Sequence, residues 1–351
     1  MSILKNSSIV VAGVIISNIL AYIFHIYVGR SLGPVDYGVF GALMALFMII
    51  ALPAGAISYA ITKFTAKFNS KKEYNKIGLL RKKSTMRVVI YSFVLIFIIS
   101  LSSKLIANYL KIDSVLPIFF VGFTLIFAMI LPVNRGILQG MKKFKIYSWN
   151  TIIEASARLG LVVLLLFFGL KVNGAILAYG LGYFIAFLFV FPFIKETNNK
   201  EKISLDMKPI YRFILLVLIV NIMLQGIINV PTIFIKHFLS SAFTGYWTAA
   251  LTLARASLFV ATGITIVMFP EVAEKENNED KRKVFKKALT LTLLASVGIA
   301  LIFWMIPQIF ISLLYGSEYL GAVPILKWMG VAMIGITGLQ VGLNYWLAKK
   351  S

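Results

Sequence analysis

Glu154 and Arg158 stand four residues apart in WNTIIEASARLGLVVLLLFF, a run otherwise free of charge. On a helix this spacing puts both on one face, acid before base, which is the favourable order for an ion pair. A charge inside a bilayer costs ~2.5–3.5 kcal/mol on insertion scales, so each needs a partner or a wet cavity. Two readings follow: a structural ion pair, or a proton or cation site at Glu154, the one carboxylate read within a helix. Arg255, in LTLARASLF, has small neighbours Ala254, Ala256 and Ser257 and no acid within a helical turn. Its fork of donors matches an anion such as a phosphate, which makes Arg255 the candidate anion contact. The plainer alternatives are interhelical pairing and hydrogen bonding to carbonyls.

Lys327 lies about two turns in from a helix end, where it either snorkels outward or lines a cavity. Arg30, at an outer mouth, is an interfacial anchor or a phosphate contact. Asn18, Gln225 and Asn229 are neutral polar groups that either meet hydroxyls of a polar cargo or join helices by hydrogen bonds. Enzyme chemistry is disfavoured: outer carboxylates are confined to Asp36, Asp113 and Glu318 on separate turns, with no Gly-rich phosphate loop. The chain has no Cys and two His, His25 and His237, which excludes disulfides, thiolate metal sites and a His cluster. No cofactor and no metal are expected.

These residues sit in a chain of 351 residues that is 60% hydrophobic and only 14% charged. Too few polar residues exist to cover a soluble surface of that size, so the solvent is mostly lipid. Apolar runs predict helices near 8–28, 37–62, 86–103, 115–134, 149–169, 172–194, 210–235, 242–269, 288–314 and 320–347. The fold class is therefore an all-α integral membrane protein with about ten transmembrane helices. Of 35 Lys and Arg residues, only Arg30, Lys104, Lys111, Lys171 and Lys236 fall in connections on one face. Most of the others crowd the opposite face, which puts the N-terminus in the cytoplasm of a multi-pass cell-membrane protein. The net charge of +22 then belongs to loops facing anionic lipid rather than to nucleic acid. Segments 63–87 and 270–287 read as amphipathic connectors at the membrane surface. Pro53 and Pro231 each remove a backbone hydrogen bond and predict bends.

The stretch GRSLGPVDYGVFGAL reads as an outer turn, with Gly33, Pro34 and Asp36 supplying turn chemistry and Gly38 and Gly41 allowing close helix approach. It has a counterpart 207 positions on, where Gly38 matches Gly245, Arg30 matches His237 and Pro117 matches Pro324. The order of features is kept, which reads as two parallel six-helix repeats. The domains are then 1–207, a six-helix half, and 208–351, a four-helix half. Counterparts of 149–169 and 172–194 would fall beyond Ser351, so the second half is expected to lack its last two or more helices.

GRSLGPVDYGVFGAL resembles the signature between the first two helices of Wzx-like flippases. These form the polysaccharide-synthesis branch of the multidrug/oligosaccharidyl-lipid/polysaccharide exporter superfamily. PVNRGILQGMKKFKIYSWNTIIEASARLGLVVLLL and SEYLGAVPILKWM look like the same branch, and the resemblance covers the whole chain. It implies a transporter that turns polyprenyl-diphosphate-linked oligosaccharide from the cytoplasmic to the outer leaflet, by alternating access between two helical halves. The implied partners are lipid-linked oligosaccharide, the bilayer and other polysaccharide-assembly membrane proteins. Related flippases of lipid-linked peptidoglycan precursor use cavity arginines, which supports Arg255 by resemblance. Two alternatives stay open: a cation- or proton-coupled multidrug antiporter of the same superfamily, and a cell-wall lipid-precursor flippase. The predicted first helix, 8–28, holds no Asp or Glu, which leans against the antiporter.

Overall fold

A computed structural model describes residues 2–197, 205–275 and 277–350; Lys200 and Lys202 of one basic connector lie outside the described residues. Among the described residues the chain is helical with no strand, and the protein is an all-α membrane protein. In chain order the helices are α1 (Ser2–Ile50), α2 (Leu52–Ser70), α3 (Tyr74–Leu101), α4 (Ser103–Tyr109), α5 (Leu116–Gly140), α6 (Phe144–Phe167) and α7 (Lys171–Val190). There follow α8 (Lys208–Phe238), α9 (Ser241–Ala254), α10 (Ala256–Glu274), α11 (Asn278–Met305), α12 (Pro307–Leu314) and α13 (Val323–Lys350). Nine helical segments among the described residues are long and apolar enough to cross a bilayer.

The first of those segments, Ala12–Ile50, contains two crossings. Gly33 has φ 71°, a left-handed angle that glycine adopts without strain, and Pro34 follows it. A straight helix would separate Phe24 and Phe40 by ~24 Å. Their ring centroids lie 6.2 Å apart, so the chain folds back on itself. With that hairpin counted as two, the segments correspond to the ten helices read from hydropathy.

Two compact units are present: Met1–Ser31 with Val39–Phe238, and Leu32–Gly38 with Leu239–Ser351. In the first, α5 packs against α2, α3 and α7, and α6 packs along α7. Gly136 and Gly140 of α5 seat on Ile61 and Thr65 of α2, where added methyl groups would fall 2.9 and 2.5 Å from side-chain carbons. This is the small-x-x-x-small contact that brings membrane helices close without a hydrophobic driving force. Around it Ala60, Ile61, Ile77, Leu80, Leu131, Val133, Ile137 and Leu138 are fully buried. The C-terminal end of α8 is tied down by His237, whose Nδ1 meets the Tyr109 carbonyl at 2.7 Å, and by buried Lys236, which donates to the Lys111 carbonyl at 3.3 Å.

In the second unit α10, α11 and α13 pack on one another, and α9 packs on α13. Buried hydroxyls of Ser296 and Thr337 meet at 2.9 Å between α11 and α13, and Gln340 Nε2 donates to Thr262 Oγ1 at 2.9 Å between α13 and α10. The succession of α2, α3, α4 and α5 recurs in α10, α11, α12 and α13: two long helices, a helix of about two turns, then a third long helix.

Segment 63–87, read as an amphipathic connector, is built from two helix ends. It is the end of α2, a three-residue turn and the start of α3. The turn closes with Glu73 N–H on the Phe68 carbonyl and Lys72 N–H on the Asn69 carbonyl, with Lys72 at φ 58°. That pair of hydrogen bonds satisfies carbonyls a helix end leaves open and ends α2. Segment 270–287 is likewise taken up mostly by the ends of α10 and α11. The bend expected at Pro53 occurs at Ala51, between α1 and α2, where Ala51 N–H still reaches the Phe47 carbonyl at 2.8 Å. Pro231 lies inside α8, which runs on through it.

Candidate functional site

Glu154 lies ~15 Å along α6 from Phe144, and Arg158 one turn further. Their ion pair forms: one Glu154 carboxylate oxygen accepts from Arg158, and the other accepts from Arg135 of α5 at 2.6 Å. Arg135 is held in turn by Asn150, whose Oδ1 accepts from Arg135 Nε at 2.7 Å while its Nδ2 donates to the Ala186 carbonyl of α7 at 2.6 Å. The Arg158 guanidinium carbon lies over aromatic rings, 3.6 Å from the Tyr179 ring centre and 5.3 Å from Tyr183. Glu154 and Arg158 are both buried, and Arg158 Nε is buried without a hydrogen-bond partner among the described residues. The cluster therefore joins α5, α6 and α7, and one carboxylate answers two guanidinium groups. Its net charge is positive, and ring quadrupoles supply part of what the second carboxylate would.

Arg135 was legible only as one cation among many on the basic face. It lies 19 residues before Glu154 in sequence, and no periodicity within one helix links them. Tyr179 and Tyr183 were legible as aromatic residues of an apolar run, with no mark of their role beside a cation.

Arg255 stands at a break in the second unit: α9 ends at Ala254 and α10 begins at Ala256. Its N–H still bonds the Leu251 carbonyl at 3.0 Å, so the helix bends rather than opens. The side chain is half-buried. One turn earlier Thr252 Oγ1 stands 3.5 Å from the hydroxyl of Tyr37, which also lies 3.5 Å from that of Tyr315. Tyr37, Tyr315 and Tyr319 form a buried aromatic cluster, with ring centroids 5.2–6.1 Å apart. Tyr37 belongs to the turn motif of the sequence and is fully buried.

The remaining candidates are dispersed. Arg30 is exposed at the end of the first limb of α1, and Asn18 is half-buried on the same limb. Gln225 is exposed on α8, and fully buried Asn229 donates from Nδ2 to the Gln225 carbonyl and to its Oε1, both at 3.0 Å. That pair lies within one helix. Lys327 of α13 places its ammonium 5.7 Å from the Trp304 ring centre of α11, and Trp304 meets Trp328 edge to face. Glu154 with Arg158, and Gln225 with Asn229, are brought together in the first unit; Arg255 and Lys327 belong to the second.

Known proteins share this architecture. An inward-facing multidrug resistance MATE family transporter of the MOP superfamily superposes with a TM-score of 0.74 at 14% identity, over 95% of this chain and 83% of that one. The lipid II flippase MurJ, in an inward closed conformation, superposes at 0.69 and 14% identity, over 97% and 76%. A MOP superfamily transporter from Pyrococcus furiosus, described as having a binding pocket of reverse polarity, superposes at 0.64 and 15% identity, over 99% and 84%. In sequence, the uncharacterized membrane protein MJ1375 of Methanocaldococcus jannaschii is 22% identical over 296 residues, covering 79% of this chain and 69% of that protein. The family described as polysaccharide biosynthesis protein matches residues 3–276. A match of that extent makes the chain a member of the polysaccharide biosynthesis protein family, on a fold it shares with those transporters.

Proposed function

We propose that the protein is a flippase carrying polyprenyl-diphosphate-linked oligosaccharide from the cytoplasmic to the outer leaflet of the cell membrane, for polysaccharide export. The lipid tail stays in the bilayer while diphosphate and sugar cross by alternating access of two helical halves, 1–207 and 208–351, with the N-terminus cytoplasmic. One observation carries the reading: the buried carboxylate Glu154 has both oxygens engaged by arginines, so two guanidinium groups share one acid. A cation-coupled exporter needs a carboxylate open to its ion. A positive interior instead suits an anionic cargo.

Within this reading Arg255 contacts the diphosphate, since its planar fork matches phosphate oxygens and its position at a helix break lets the side chain re-aim as the helix flexes. Arg30 and Lys327 are secondary phosphate contacts. Asn18 and Gln225 meet sugar hydroxyls, with Asn229 holding the Gln225 amide in place. The Glu154–Arg158 pair is structural. A second reading, a flippase for a cell-wall lipid precursor, is favoured by the likeness to the lipid II flippase and uses the same anionic lipid-linked chemistry.

The test is a lipid extraction from cells with and without the gene, with the two leaflets distinguished by an impermeant reagent. Build-up of a protected polyprenyl-diphosphate sugar on deletion supports the flippase, and the accumulated glycan identifies the cargo. An unchanged sugar-lipid pool, with redundant carriers also deleted, overturns it.

A further inference from the structure

Between α2, α3, α5 and α8 of the first unit lies a cavity of about 350 Å³, within the range of small-ligand sites. Its lining is almost wholly apolar, with Pro53 and Ile57 of α2, Met129 of α5 and Ile214 of α8 among the walls. The polar exceptions are Ser84 and Arg87, adjacent turns of α3. The same helix then supplies Tyr91, Val94 and Leu95, the last ~12 Å beyond Arg87 along the axis. Tyr91 is 58% exposed and Val94 49%, so this end opens sideways towards where acyl chains lie.

Arg87 is the unusual wall. Its Nη1 is buried with no hydrogen-bond partner among the described residues, and none of the ion pairs among them includes it. The guanidinium carbon sits 4.9 Å from the Tyr211 ring centre, a contact that favours the cation but accepts no N–H bond. An unmet charged donor is the costly case for a buried polar group, and phosphate oxygens would meet it. The basic run Arg81, Lys82 and Lys83 precedes Arg87 on α3, so the polar end of the cavity is the end facing the Lys- and Arg-rich side. The cavity thus has the polarity of one leaflet: charge at the basic face, hydrocarbon deeper in.

We propose that this cavity holds one anionic phospholipid of the inner leaflet, its phosphate on Arg87 and one acyl chain along Tyr91, Val94 and Leu95. This site is separate from the cargo contacts above, and its test does not depend on transport. Thermal unfolding of the purified full-length chain in neutral detergent is followed while short-chain phosphatidylglycerol, short-chain phosphatidylcholine or inorganic phosphate is titrated in. Phosphatidylglycerol should raise the midpoint at about tenfold lower concentration than phosphatidylcholine. Arg87→Gln should remove that preference, Leu95→Trp should weaken both lipids while keeping it, and inorganic phosphate should not shift the midpoint. An Arg87→Gln response equal to wild type, or a phosphate effect equal to that of phosphatidylglycerol, overturns the proposal. If Arg87→Gln does not fold, wild-type protein in vesicles with spin-labelled phosphatidylglycerol decides. Displacement of the immobilised signal by unlabelled phosphatidylglycerol over phosphatidylcholine supports the site, and equal displacement overturns it.

Discussion

Gly38 and Gly245 face one another so closely that neither position has room for a methyl group. A Cβ on Gly38 would fall 2.0 Å from the Ser241 carbonyl oxygen and 2.8 Å from the Gly245 nitrogen, and a Cβ on Gly245 would fall 2.0 Å from the Pro34 carbonyl oxygen. The relation is reciprocal, because Pro34 and Ser241, like the two glycines, are 207 positions apart. Each helix start uses its glycine to seat on the first carbonyl of the other, the contact a local two-fold relation produces.

Gly38→Ala and Gly245→Ala should each destabilise the protein by about 1–3 kcal/mol, the usual penalty of overpacking against a backbone that cannot yield. Gly298→Ala on α11 meets nothing within 4 Å and should stabilise by roughly 0.5–1 kcal/mol through helix propensity. Unfolding midpoints of the three variants in one detergent check this. Equal midpoints for all three would remove the packing argument.

Glu154→Gln should leave Arg135 and Arg158 facing each other in a buried site, and cost about 3–5 kcal/mol. Adding Arg158→Met should recover a large part of that loss, since the thioether can lie on the Tyr179 face that the guanidinium occupied. A double-mutant cycle on unfolding free energy measures the coupling. Strict additivity would show that the ion pair between Glu154 and Arg158 has no energetic weight.

Arg255→Ala should abolish export at unchanged protein level, and Arg255→Lys should restore part of it, because lysine keeps the charge and loses the fork. The readout is the protected pool of sugar-lipid in cells carrying each variant. Wild-type export by the alanine variant at equal expression rejects Arg255 as the diphosphate contact.

Three helix ends close on a lysine with left-handed backbone: Lys72 after α2, Lys111 after α4 and Lys142 after α5. A side chain is disfavoured there by ~1–2 kcal/mol, offset in glycine by its greater loss of freedom on folding. Lys142→Gly should therefore raise stability by about 0.5 kcal/mol, while Lys143→Gly, at φ −79°, should lower it. Thermal unfolding of the pair separates the backbone effect from loss of charge, which both share.

The spans were readable in the sequence because a helix in lipid satisfies its own backbone, so an apolar run of sufficient length decides its own structure. The Glu154–Arg158 pair was readable for the same reason: both partners lie on one helix, and a four-residue spacing sets their geometry. So was the turn at Gly33, whose positive φ is a local property of that residue. What only the tertiary structure decided were the partners drawn from other helices. Arg135 reaching Glu154, Arg158 lying on Tyr179 and Tyr37 closing on Thr252 all depend on how each helix is rotated and how near it approaches. That rotation is chosen by small residues such as Gly136 and Gly140 meeting a particular neighbour, a choice made between helices and not written in the periodicity of either.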